Sequence, residues 1–82
     1  MSNRLNALIL ATRLKGLDAT SAGARNLVIE FVEKHGELLA GRCCDELYKE
    51  VKKYLISVYD ENPNPYVLNK VIELAYKVGT EG

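Results

Sequence analysis

The sequence predicts an all-α fold, a compact four-helix bundle with antiparallel neighbours, formed by one domain over residues 1–82. Three observations carry that expectation. Apolar residues recur at i, i+3 and i+4 spacing in three segments, and a fourth segment is apolar over almost its whole circumference. Capping and helix-breaking residues fall between those segments. No alternating run bounded by hairpin turn residues is present, and no internal repeat or low-complexity tract interrupts the chain.

The first helix is expected from Asn3 to Lys15, capped by Ser2 or Asn3 and ended by Gly16. Leu5, Ala7, Leu8, Ile9, Leu10, Ala11 and Leu14 surround it, so it is expected at a central position or at a dimer interface. Asp18, Thr20 and Ser21 then offer side-chain oxygens to the free amides of a second helix. That helix is expected to reach His35, with Gly36 as its C-cap. Ala24, Leu27, Val28, Phe31 and Val32 form its stripe, and Ile29 falls off it. Glu37 to Arg42 reads equally as loop or as extra helical turn.

The third helix, from Cys43 to Asp60, has the most regular stripe: Cys44, Leu47, Tyr48, Val51, Tyr54, Leu55, Val58 and Tyr59. Ile56 alone interrupts its polar face. Asn62-Pro63-Asn64-Pro65 then breaks the chain, because Pro63 disfavours helix at Asn62. Asn64 is placed as N-cap with Pro65 at the first helical position. The fourth helix runs to Val78 on a stripe of Val67, Leu68, Val71, Leu74, Ala75 and Val78, with Gly79 closing it.

Composition narrows the function classes. Hydrophobic residues make up 48% of the chain and charged residues 27%, which suits a globular protein. The one histidine and the adjacent pair Cys43 and Cys44 are too few and too close for a zinc site, and adjacent cysteines close almost no loop. Two ordinary thiols, no metal and a cytoplasmic location are therefore expected. No stretch approaches the roughly 18 apolar residues of a membrane span, and no membrane partner is expected.

Catalytic constellations are equally sparse. His35 with Cys43 or Cys44 is the one thiol–imidazole pairing available, and His35 reads better as a group stabilising a helix C-terminus. Asp45-Glu46 and Asp60-Glu61 are neighbours in sequence and point apart on a helix, so neither is a natural acid–base dyad. The glycines match no phosphate-binding spacing. The sequence is read as non-enzymatic, without cofactor.

Surplus apolar surface points instead to protein binding, first of all to a homodimer. Leu5, Ile9 and Leu14 on the first helix are the leading interface candidates, with Ile29 and Ile56 outside their stripes. Tyr66, Asn69, Glu73 and Tyr76 share one face of the fourth helix, and exposed tyrosines supply both contact area and a hydrogen bond. The alternative is a small nucleic-acid-binding regulator built on a helix-turn-helix of the first two helices. Thr20, Ser21, Arg25 and Asn26 would open its recognition helix, and Arg4, Arg13 and Lys15 would meet phosphates. Residues 1–29 carry a balance of +3 and the remainder −3, on a net charge of zero.

Overall fold

The computed structural model describes residues 3–18, 20–39 and 44–80. It contains four helices, α1 (Asn3–Leu14), α2 (Ala22–Leu39), α3 (Asp45–Tyr59) and α4 (Pro65–Thr80), and no strand among the described residues. The helices close a ring in chain order. α1 packs on α2, α2 on α3, α3 on α4, and α4 returns to α1 in the most extensive contact of the four; helices across the diagonal do not meet. The globule measures 34 × 24 × 19 Å.

One core fills the ring. Leu10 and Leu14 of α1, Val28 and Phe31 of α2, Leu47, Val51 and Tyr54 of α3, and Leu68, Val71 and Leu74 of α4 are all buried. Their removal from water, at about 25 cal/mol per Å² of apolar surface, is the main force holding the helices together. Tyr59, expected on the α3 stripe, is 74% exposed. It belongs to the last turn of α3, and the stripe ends with half-buried Val58.

The breaks follow the predicted chemistry. Gly16, at φ +87°, turns the chain out of α1 in the left-handed conformation that glycine adopts at no steric cost. Asp18 then organises the start of α2. Its carboxylate accepts hydrogen bonds from the amide and the hydroxyl of Thr20 (2.9 and 2.8 Å), and Ser21 Oγ accepts one from the amide of Ala24 at 3.2 Å. At the start of α4, Asn64 Oδ1 accepts from the amides of Tyr66 and Val67, as an N-cap before Pro65 should.

Two glycines behave differently from their expected roles. α2 runs through Gly36 to Leu39, so Gly36 is a buried helical residue rather than a C-cap. Residues 37–39 of the ambiguous stretch are therefore helical, and 40–42 lie outside the described residues. α4 likewise continues through Gly79 to Thr80. There a Cβ would stand 2.6 Å from Leu8 Cβ and 2.9 Å from Leu8 Cα. Gly79 is thus an inter-helix contact, and with the buried alanines Ala7, Ala11 and Ala75 it lets α1 and α4 pack backbone against backbone.

The α3–α4 connection rests on Glu61. Its φ of 60° places a non-glycine residue in the left-handed region. The amides of Glu61 and Asn62 donate to the carbonyls of Val58 and Ser57, the paired bonds of a Schellman C-cap. Ser57 ties the two helices together: its hydroxyl donates to the Tyr54 carbonyl at 2.6 Å and accepts from the Asn64 amide at 3.1 Å.

Candidate functional surfaces

The interface residues expected from sequence separate into three groups. Leu14 is wholly buried and belongs to the core, so it offers nothing to a partner. Ile9 and Ile29 are half-buried. Leu5, Ile56, Tyr66 and Tyr76 stand in solvent, the last three at 59%, 83% and 58% exposure. The apolar surplus of α1 is spent mostly inward, on α4 and α2, because small residues on both α1 and α4 bring those helices close. The surplus that stays outside lies largely on α3 and α4.

On α4 the exposed residues are ordered. Tyr66, Asn69, Glu73 and Tyr76 all face solvent, opposite the buried stripe of Leu68, Val71 and Ala75. Their spacing of three, four and three residues reads the same in both directions. On α3, Tyr48 lies half-buried beneath Lys52, whose Nζ sits 5.4 Å from the ring centroid. Lys53 pairs with Glu50 at 3.3 Å on the same helix.

The residues of the nucleic-acid alternative are held as follows. Arg13, Lys15, Thr20, Arg25 and Asn26 are exposed and Ser21 is half-exposed; the Arg4 side chain lies outside those described. Thr20 and Ser21 are engaged in capping α2. Thr20, Ser21 and Arg25 border a hollow of about 270 Å³ whose opposite wall carries Glu61 and Pro63. The backbone and hydroxyl hydrogen bonds from Thr20 hold the Asp18 carboxyl below its ordinary range. Two carboxylates thus flank the end of α2 that would enter a groove, and their sign opposes phosphate.

Of the residues weighed for a thiol–imidazole pairing, His35 and Cys44 are described and Cys43 is not. Because α2 continues past it, His35 does not cap a helix terminus; its ring packs instead against Phe31, with centroids 5.3 Å apart. Cys44 is buried at the head of α3 and is disulfide-bonded, so the expectation of two ordinary thiols does not hold. The chain's other cysteine, Cys43, lies outside the described residues. Tyr54 is wholly buried, and burial pushes its phenol above the ordinary value while the charge of Arg25 works against that rise.

One feature escaped the sequence reading altogether. A cleft of about 130 Å³ lies between α1 and α2, lined by Asn6, Ile9, Leu10, Arg13, Leu27, Glu30, Phe31, Lys34 and His35. Asn6, only 8% exposed, is the one buried polar residue among those described. The available signal was an amide set in the apolar run Leu5 to Ala11. Lys34 Nζ donates to Glu30 Oε1 at 2.7 Å, and that bond, the charge of Lys34 and the more distant Arg13 together hold the Glu30 carboxyl below its ordinary range.

The fold therefore defines an all-α, four-helix protein, and no group of histidine, cysteine or acidic side chains suited to a metal occurs among the described residues. No helix among them is long and apolar enough to cross a membrane. No protein-family model, curated protein or solved structure matches the chain.

Proposed function

We propose that this chain is a non-enzymatic interaction module whose first partner is a second copy of itself, joined through the outer face of α4. The observation that carries this reading is the symmetric spacing of Tyr66, Asn69, Glu73 and Tyr76, all exposed. A twofold axis crossing α4 near Val71 pairs two copies of the helix antiparallel. It sets Tyr66 against the other copy's Tyr76, and Asn69 against its Glu73. A closed dimer needs such a self-complementary surface. Each tyrosine offers about 150–250 Å² of contact area, and the Asn69 amide is a donor for the Glu73 carboxylate.

The test is solution mass by light scattering across a concentration series. The wild-type chain is expected to dimerise with rising concentration. The double variant Tyr66→Glu and Tyr76→Glu is expected to stay monomeric with an unchanged helical circular dichroism spectrum, since neither ring contributes to the core. Dimers that survive this change but are lost in Leu5→Glu would move the contact to α1.

A further inference from the structure

The cleft between α1 and α2 plays no part in the α4 pairing, and its lining is chemically specific. Ile9, Leu10, Leu27 and Phe31 supply an apolar interior. The volume suits one six-membered ring or a short branched chain; a cavity of roughly 150 Å³ holds benzene. Nucleotides and drug-sized ligands need roughly 300 Å³ or more. The polar groups decide what that apolar group should carry. Lys34 is committed to Glu30, so the cleft presents no uncompensated carboxylate to a cation. Arg13 makes no ion pair within 4.0 Å among the described residues and leaves the rim with a surplus positive charge. Asn6 brings an amide donor to the same wall.

We propose that this cleft binds a small monocarboxylate, with its aryl or branched alkyl group among Ile9, Leu27 and Phe31 and its carboxylate on the Arg13 guanidinium. A guanidinium meets a carboxylate with two parallel N–H donors, which gives direction as well as strength. A neutral ligand of equal size fills the apolar part and leaves Arg13 unused. A free acid of benzene size fills this volume, and a tripeptide probe distinguishes it from a protein C-terminus.

Benzoate is the probe, with benzyl alcohol as a neutral match for size, each titrated into ¹⁵N-labelled protein and followed by amide chemical shifts. Benzoate is expected to give saturable shifts confined to α1 and α2 and to bind about tenfold more tightly than benzyl alcohol, the scale of one charge-assisted hydrogen bond. Arg13→Gln, at an exposed position, is expected to erase that preference while benzyl alcohol still binds. Leu27→Trp, which fills the cleft, is expected to abolish both, with helicity monitored alongside. Unsaturable benzoate shifts, a preference that survives Arg13→Gln, or tighter binding of a phenylalanine-terminated tripeptide would each overturn the proposal. None of these outcomes depends on whether α4 forms a dimer.

Discussion

Glu61 is the residue whose backbone and side chain disagree most plainly. The Schellman turn after α3 needs a left-handed residue, and the chain supplies glutamate where glycine is usual. The left-handed conformation costs an L-residue roughly 1–2 kcal/mol, and an acid beside a helix C-terminus adds a small dipole penalty. Glu61→Gly is therefore expected to stabilise the protein by about 1 kcal/mol and raise its melting temperature by about 4–8 °C. Asp18 presents the reverse case, an acid well matched to its place. Its carboxylate gains two hydrogen bonds on folding, so its folded pKa lies below the ordinary 3.8. The ionised form stabilises the fold fully above 3.8, and that contribution is lost as pH falls through the lowered value. Asp18→Asn keeps an acceptor oxygen and removes the titration. Thermal melts taken from neutral to acidic pH should show a shallower acid decline for Asp18→Asn than for wild type.

At the scale of elements, α1 and α4 form the tightest pair, and Gly79 is the point of closest approach. Adding one methyl group there forces it onto Leu8 Cβ and Cα, and backbone has little room to move. Gly79→Ala is expected to destabilise by about 1–3 kcal/mol, the ordinary cost of overpacking, although alanine is the better helix former. Denaturant unfolding would read this as a lower midpoint at unchanged slope. Gly79 also shows why its role was not legible in sequence. A glycine after an apolar stripe looks like a terminator, and only the arrival of another helix shows that it is a contact. Gly36 misleads in the same way, because α2 itself continues on the far side of it. By contrast Asn64 with Pro65, and Gly16 after α1, were legible because they act on their own amides and φ angles within a few residues.

For the whole molecule, the ring of four helices decides which apolar surface is spent and which remains. The first helix looked richest in interface residues, yet most of that surface meets α2 and α4, and Leu14 is entirely enclosed. The second candidate face, on α4, is the one left in solvent. Leu5→Glu is accordingly expected to leave the fold intact, whereas Leu14→Glu should unfold it by burying an unpaired charge. Circular dichroism melts of the two variants would separate them directly.

By itself the sequence determined the helical class, the number of helices, three of the main stripes and the capping chemistry at two of the three junctions. Those depend on hydrophobic period and on side chains bonding to amides a few residues away, which are local quantities. The tertiary structure alone decided the role of Gly79, the exposure of Tyr59, the enclosure of Leu14 and the existence of the Asn6–Arg13–Glu30 cleft. Each of these is set by which helix lies opposite and how closely it approaches, and no residue's own neighbours along the chain carry that distance.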